Sequence, residues 1–205
     1  MRLTYALPVP VVALTVIVSA LAGCGSTPAP PAPPAAVGIT VTAPVPAETN
    51  PAGDIPDNQA YITYGSGPGA FTLKVPEGWA RTEAANGDVT FTDKLNRITM
   101  HTAAAAAPAT AQSVNASVVP ALRGQVPGFS AGKTSTVTRP AGRAVLYTYR
   151  GNGPADPVTG KTVRDSFERY AFFHAGHETI LTLSGPVGAD NVDPWHTVTD
   201  SLRWQ

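Results

Sequence analysis

The sequence predicts an α+β fold in which an antiparallel β-sheet is flanked by helices. Apolar and polar residues alternate over several short stretches separated by turn-forming residues, a pattern typical of half-buried strands. In residues 145–147 and 170–173 both faces of the strand are apolar, so the sheet must be covered on both sides. Two helical segments, one near Thr110 and one at the C terminus, are available for that role.

The predicted strands are short and are separated by turns that contain Gly, Pro or Asn, which favours antiparallel hairpins. Phe71, Leu73 and Val75 illustrate the pattern, because their even spacing places all three side chains on one face of a strand. We expect that face to be buried. In chain order, the predicted strands cover residues 61–64, 71–75, 88–92, 97–102, 134–138, 143–150, 163–174 and 178–184.

A helix is predicted over residues 103–123. Val114, Val118 and Leu122 recur every four residues and form one apolar stripe along it. An interior proline costs a helix about 3 kcal/mol, so Pro120 predicts either a kink or the end of the helix at the preceding residue. The stripe predicts that this helix packs against one face of the sheet.

The C-terminal helix is the most clearly marked element. Asp193 is a favourable N-cap, and Pro194 suits the first helical position. Trp195, Val198 and Leu202 then fall on one face of the helix. We expect this face to cover the sheet on the side opposite the first helix.

The N terminus predicts an export signal over residues 1–23. Arg2 supplies a positive charge, a long apolar run follows, and small residues end the segment. The alternative is a retained transmembrane helix. Pro8 and Pro10 argue against it, because they shorten the apolar run below the roughly 20 residues that a membrane span needs.

The signal ends in Leu21-Ala22-Gly23-Cys24, which resembles the lipobox of bacterial lipoproteins. The resemblance implies that Cys24 carries diacylglycerol and becomes the N terminus once signal peptidase has cut before it. The acyl chains would then hold the protein on the extracytoplasmic face of the cell membrane.

Residues 24–57 are predicted to be the lipidated cysteine and a disordered tether, since they are rich in proline and contain no aromatic residue. The tether is interpreted as an inert spacer, with a docking segment or a glycosylated stalk as alternatives. Every aromatic residue except Tyr5 follows residue 58, so residues 58–205 are predicted to be a single globular domain.

Two short motifs in the domain carry a family resemblance: the turn Val75-Pro76-Glu77-Gly78-Trp79 and the ending Asp200-Ser201-Leu202-Arg203-Trp204. With the order of elements, they make residues 60–205 similar to actinobacterial LpqN/LpqT-type lipoproteins and, more distantly, to the PsbP-like fold. The resemblance implies an α/β/α sandwich that acts without catalysis, as a binding or assembly factor. It offers no catalytic residue to carry over, and Trp79 and Trp204 are interpreted as core residues.

Side chains capable of catalysis or metal binding do not form a recognisable motif. Ser66 lies in a glycine-rich turn that lacks the strand-to-helix context of a serine nucleophile. Four histidines lack partners at metal-ligand spacing, although two of them could approach each other across a turn. We therefore expect no catalytic residue, metal site or cofactor. The histidines are His101, His174, His177 and His196.

Three carboxylates are candidates for a functional role. Asp165 and Glu168 lie at odd separation on a predicted strand, so they are expected to point to opposite faces. Surface ion pairs with Arg164 or Arg169 are predicted for them. Asp156 lies in a long loop where it could contact a ligand, but Asp is also an ordinary turn former.

The lipobox and the family resemblance together imply a binding protein of the cell envelope. The 14 basic residues balance 14 acidic ones, so no strong field is available for nucleic acid. We expect a module that binds an envelope protein through an exposed apolar patch. The alternative is a carrier of a small apolar ligand or lipid, with an internal pocket between sheet and helix. A hydrolase is a third, disfavoured possibility.

Overall fold

The structure of this chain, a computed structural model, describes residues 51–67, 71–156 and 158–205. The predicted signal peptide, the predicted lipidation site Cys24 and the predicted tether up to residue 50 lie outside these ranges. Within them, no helix combines the length and apolar character that crossing a bilayer requires.

Strands dominate the described part of the chain. The strands are β1 (Tyr61–Gly65), β2 (Phe71–Pro76), β3 (Ala80–Glu83), β4 (Val89–Asp93), β5 (Asn96–Ala104), β6 (Ser130–Arg139), β7 (Gly142–Asn152), β8 (Arg164–His174), β9 (His177–Pro186) and β10 (Arg203–Trp204). The helices are α1 (Ala111–Ser113), α2 (Val119–Gln125) and α3 (Val192–Asp200), and a π-helical segment (Val114–Val118) joins α1 to α2.

The strands form two antiparallel sheets. The large sheet has seven strands in the order β3-β4-β5-β9-β8-β7-β6, and the small sheet has the order β1-β2-β10. Each of the predicted hairpins β4–β5, β6–β7 and β8–β9 is present. Strand β9 pairs with β5, which joins the N-terminal and C-terminal halves of the domain in one sheet.

Both faces of the large sheet are covered, as the sequence predicted. One face packs against the small sheet and α3 in a core that includes Phe71, Leu183 and Val198. The opposite face packs against the helical residues 111–125, with Val114 and Tyr147 in a second core. The α+β prediction is therefore confirmed. The sequence predicted that a helix alone would cover this first face, but the small sheet and α3 cover it together.

The predicted helix over residues 103–123 begins too early. Ala103 and Ala104 belong to β5, where they pair with Glu178 and His177 of β9. Thr110 is the N-cap instead, with its hydroxyl accepting from the Ser113 amide at 3.0 Å. Strand pairing prevails here because helix propensity is a weak prior that tertiary contacts override.

Pro120 does not end the helical segment. It lies at the start of α2, directly after the π-helical segment. In that wider turn the Val119 amide donates to the Val114 carbonyl, five residues back. A proline ring clashes with the carbonyl four residues before it, so the changed hydrogen-bonding pattern accommodates Pro120 within a continuous helical segment.

The C-terminal helix is displaced from its predicted bounds. Asn191, not Asp193, occupies the N-cap position, and Asp193 lies in the first turn. Leu202 falls beyond the helix but is fully buried. Trp204 lies in β10, whose pairing with β2 completes the small sheet. The terminal motif is therefore a helix followed by a strand, because Leu202 reaches the core only if the helix ends first.

The domain also begins earlier than predicted. Ile55, assigned to the mobile tether, is 5% exposed, and its amide donates to Asn191 Oδ1 at 2.8 Å. Strand β3 was missed as well, because all four of its side chains are exposed and its sequence shows no alternation. The contact between Ile55 and Asn191 joins positions 136 residues apart, which local patterns do not reveal.

Candidate functional site

One end of the large sheet, which we call the loop end, gathers most of the unusual features of the domain. It is the end where β5 and β8 begin and where β9 finishes, since Arg97 pairs with Ser184 and Asp165 pairs with Pro186. The loop between β7 and β8 lies here, and so does the incoming segment at residues 51–56, through its contacts with β5 and α3.

A cavity of about 340 Å³ opens at the loop end, between the sheet and the loop that connects β7 to β8. Ile98 and Leu183 belong to the core shared with the small sheet, so their neighbours Arg97 and Ser184 face the opposite side. That side is the floor of the cavity. Its lining residues are Thr92, Lys94, Leu95, Asn96, Arg97, Gly153, Pro154, Ala155, Asp156, Thr159, Lys161, Val163, Asp165 and Ser184.

Asp165 is the most unusual residue of this cavity. It is 2% exposed, and its Oδ1 atom has no hydrogen-bond partner among the described residues. Burial raises the pKa of its carboxyl group to about 6, although the positive charge of Arg97 opposes that rise. Most buried polar groups in proteins have a hydrogen-bond partner, so an unpaired one calls for an explanation. Here the unpaired oxygen can accept a hydrogen bond from a molecule that enters the cavity.

The predicted surface ion pair of Asp165 is wrong. Arg164 instead donates from Nη1 to the Gly128 carbonyl at 2.5 Å. Glu168 does point to the opposite face, as predicted, and accepts from the Tyr170 hydroxyl at 2.6 Å. Asp165 shares its face of β8 with Phe167, which packs in the second core. An acidic residue in register with a core aromatic was the sequence signal that could have predicted its burial.

Arg97 is the second cavity residue that has an unpaired polar atom. Its Nε atom is buried and has no hydrogen-bond partner among the described residues. Arg97 lies close enough to Asp165 to influence the pKa of that carboxyl group. A buried donor and a buried acceptor thus line one cavity. Sequence reasoning placed Arg97 in a strand but gave it no role, because its proximity to Asp165 depends on the pairing of β5 with β9.

The wall of the cavity is held together by hydrogen bonds within its own loop. Asp156 Oδ1 accepts from the amides of Val158 and Thr159 at 3.1 and 2.7 Å and from the Thr159 hydroxyl at 2.9 Å. These bonds hold the pKa of the Asp156 carboxyl below its usual value. The Gly153 amide donates to the Val163 carbonyl at 2.8 Å and closes the loop. Asp156 therefore organises the loop.

Gly153 brings the backbone against the buried carboxylate. A side-chain methyl group at this position would overlap Asp165 Oδ2. Glycine is thus required by close approach, and any larger residue would have to displace the carboxylate or the loop.

A buried asparagine cluster, formed by Gly53, Asn96 and Asn191, joins the incoming segment to the loop end. Asn96 and Asn191 each donate from Nδ2 to the Gly53 carbonyl, at 2.9 and 3.0 Å. Asn191 Nδ2 also donates to Asn96 Oδ1 at 3.0 Å. The two side chains are 5% and 3% exposed, so these bonds lie within the protein. The incoming segment at residues 51–56 is consequently fixed to the domain at this end.

Exposed apolar residues are concentrated at the loop end. Five of the six large apolar side chains exposed in the described ranges lie here, and the sixth, Ile62, lies in β1. Val158 is the most exposed, at 90%. A cluster of exposed apolar residues on a globular domain is typical of a site of association. The five residues are Leu95, Val158, Val163, Val187 and Val192.

The histidines lie elsewhere and do not converge. His174 stacks on Trp204 with ring centres 4.9 Å apart, and His177 contacts the Ala175 carbonyl at 3.1 Å. His101 Nδ1 lies 2.5 Å from Asp88 Oδ1, a pairing that the sequence did not predict. In the ranges that the structure describes, no three potential metal ligands come together.

Ser66 belongs to the hairpin between β1 and β2, where its hydroxyl accepts from the Phe71 amide at 3.3 Å. Its own amide donates to the Phe71 carbonyl at 2.9 Å. The bonds to this residue that are described here shape the turn. Part of the predicted turn, residues 68–69, lies outside the described ranges.

Aromatic side chains fill the space between the large sheet and the helical segment. Tyr149 stacks on Phe167 with ring centres 4.5 Å apart and on Tyr147 at 5.5 Å. Phe129 packs on Tyr149 at 5.7 Å, and burial raises the pKa of the Tyr149 hydroxyl to about 12. The internal apolar pocket expected of a lipid carrier is thus occupied by rings at this interface.

The two sheets, the covering helices and the surface cavity define an α+β domain with a PsbP-like fold. The chain is similar to the solution structure of cyanobacterial PsbP (CyanoP) from Synechocystis, with a TM-score of 0.51 and 13% identity over 72% of this chain and 94% of that one. At this identity the similarity shows the fold alone.

A protein of unknown function from Pseudomonas aeruginosa has a TM-score of 0.44 and 14% identity, over 71% of this chain and 97% of that one. No family model matches the sequence. No curated protein matches it either.

Proposed function

We propose that this protein is a lipoprotein anchored through Cys24 to the extracytoplasmic face of the cell membrane, and that its domain binds a protein of the cell envelope. The surface that binds this partner is the loop end of the large sheet. The observation that carries the proposal is the concentration of exposed apolar side chains there, including Val158 and Val192. In this proposal the protein acts by binding, and it belongs with the LpqN/LpqT-type lipoproteins that its motifs resemble.

The position of the incoming segment supports this choice of surface. Gly53 and Ile55 are fixed to the loop end through Asn191, so the chain that leads from Cys24 reaches the domain at this end. Each buried lipid methylene contributes about 0.8 kcal/mol to anchoring. Confinement at the membrane raises the effective concentration of the domain around other envelope proteins.

Photo-crosslinking in intact cells tests the proposal. A photoreactive amino acid placed at Val192 or Val158 should give a discrete crosslinked product, and one placed at Ile62 serves as the matched exposed control. The product formed from position 192 should be lost when Val158 is changed to Asp and when Cys24 is changed to Ala, because the first removes apolar contact and the second removes the anchor. A product that forms equally from Ile62, or that survives both changes, would contradict the proposal.

A further inference from the structure

We propose that the loop-end cavity binds a small polar ligand in which a hydrogen-bond donor lies next to an anionic group, as in a hydroxy acid or a phosphorylated polyol. This inference goes beyond the proposed function and does not depend on it. It rests on the polar groups that the cavity leaves unpaired and on the charges around them.

Asp165 sets the first requirement for the ligand. Its carboxylate is 2% exposed, and its Oδ1 atom lacks a partner among the described residues. An ionised carboxylate only accepts hydrogen bonds, so the ligand must supply an O–H or N–H group. The residue lines the cavity, and the loop backbone at Gly153 packs against its Oδ2 atom, which leaves Oδ1 as the oxygen without a partner among the described residues.

Arg97 sets the second requirement. Its buried Nε–H group has no acceptor among the described residues, and it lines the same cavity as Asp165. A hydroxyl group both donates and accepts, so one hydroxyl can bridge the carboxylate and the guanidinium group. An apolar ligand could satisfy neither group, which excludes a lipid tail from this cavity.

The charges at the rim set the third requirement. Lys94, Arg97 and Lys161 line the cavity, and their three positive charges exceed the charges of the two lining carboxylates, Asp156 and Asp165, by one. Lys94 Nζ also lies 3.9 Å from Asp93 Oδ2, an exposed contact that is weak in water. The positive charge that remains favours a carboxylate or a phosphate group on the ligand.

Hydrogen bonds within the chain order the wall of the cavity. The bond between the Gly153 amide and the Val163 carbonyl and the bonds to Asp156 order its wall. Its volume of about 340 Å³ lies at the lower end of the range for small-molecule sites, which suits a compact ligand.

Isothermal titration calorimetry on the full chain, purified from membranes in detergent, tests the inference. The probes are glycerol 3-phosphate and lactate, which combine both groups, and glycerol and inorganic phosphate, which each carry one. At least one combined probe should bind more tightly than glycerol or phosphate. Asp165→Asn and Lys161→Gln should each weaken that binding about tenfold, a change of roughly 1.4 kcal/mol. Lys133→Gln, on the exposed start of β6, is the matched control and should leave it unchanged.

Binding that is equal for phosphate alone and insensitive to Asp165→Asn would overturn the inference. So would the absence of heat from all four probes at about 10 mM, where even weak sites are occupied. Because the purified protein is measured without any partner, either result leaves the crosslinking test of the proposed function unaffected.

Thermal unfolding without ligand provides a second test. If Asp165 is retained for a ligand, Asp165→Asn should raise the melting temperature, because a buried unpaired charge is removed. A fall in melting temperature would show that the carboxylate stabilises the fold, and it would overturn the inference.

Discussion

The side chains of Asn96 and Asn191, 95 positions apart in the sequence, form a buried hydrogen bond of 3.0 Å and donate to one carbonyl, that of Gly53. This arrangement joins the large sheet, the start of α3 and the incoming N-terminal segment. It also lies beside the cavity, since Asn96 is one of the lining residues. The asparagine cluster therefore couples the position of the incoming segment to the architecture of the candidate site.

Replacing Asn191 by Ala should destabilise the domain substantially. The change leaves the Ile55 amide without its acceptor and Asn96 Oδ1 without its donor, and each unsatisfied buried group costs about 1–3 kcal/mol. Urea denaturation of the full chain measures the loss. Asn86→Ala is the control, because Asn86 is exposed and should shift stability by no more than about 0.5 kcal/mol. Equal effects of the two changes would argue against a structural role for the cluster.

The stability of the protein should depend on the protonation of Asp165. Its folded-state pKa of about 6 lies above the ordinary value of 3.8, so the folded protein binds the proton more tightly than the unfolded chain. The ionised carboxylate therefore destabilises the folded protein at pH values above the folded-state pKa. This loss of stability decreases as the pH falls towards the pKa of the unfolded chain.

Acidification from about pH 7 to about pH 5 should therefore stabilise the wild type by about 1 kcal/mol relative to Asp165→Asn. Urea denaturation of both proteins at the two pH values measures their free energies of unfolding. All other titrating groups are shared by the two proteins, so their contributions cancel when one free energy is subtracted from the other. A constant difference would mean that the pKa of Asp165 is not raised.

Phe172 and Phe173 should respond very differently to truncation. Phe172 is 1% exposed and lies in the core shared with the small sheet, whereas Phe173 points to the opposite face and is partly exposed. Phe172→Ala should cost about 3–5 kcal/mol. Phe173→Ala should cost clearly less, and thermal or urea unfolding compares the two. A larger loss from Phe173 would contradict the assigned faces of β8.

Removing the lipid attachment site should detach the protein from the membrane. Cys24→Ala prevents acylation and, in this proposal, the cleavage that follows acylation, so the expectation applies to the part of the variant from which the signal has been removed. Without acyl chains nothing in the proposed anchor holds that cleaved form at the bilayer. Fractionation of cells followed by immunoblotting shows whether the protein moves out of the membrane fraction. Ser26→Ala is a neighbouring control that should stay membrane-bound. Retention of the Cys24 variant in the mature, cleaved form would contradict anchoring by lipid.

How much of the fold could be predicted depended on how local its signals were. Strands such as β2 and β4 show alternating residues in the sequence, and the predicted hairpins were present. The helix over residues 103–123 was extended too far because alanines carry a helical preference that pairing with β9 overrides. Strand β3 has no buried residue and so left no pattern to detect.

The candidate site was less predictable than the fold. Asp165 was singled out in the sequence, but as half of a surface ion pair, because nothing local indicates that a loop will cover it. Arg97 was assigned only to a strand. Their common cavity results from the order of strands β5, β9 and β8, in which residues distant in the sequence become neighbours.

Local sequence patterns were sufficient to predict the α+β class and the need to cover both faces of the central strands. They also predicted the burial of Phe71, Leu73 and Val75. These properties follow from the period of the strand and from hydrophobicity, which neighbouring residues express directly. The tertiary structure alone decided that a small sheet helps α3 cover one face, that Ile55 belongs to the domain, and that an unpaired carboxylate faces a cavity. Those properties depend on long-range pairing and on the satisfaction of buried polar groups, and both arise only when distant segments meet.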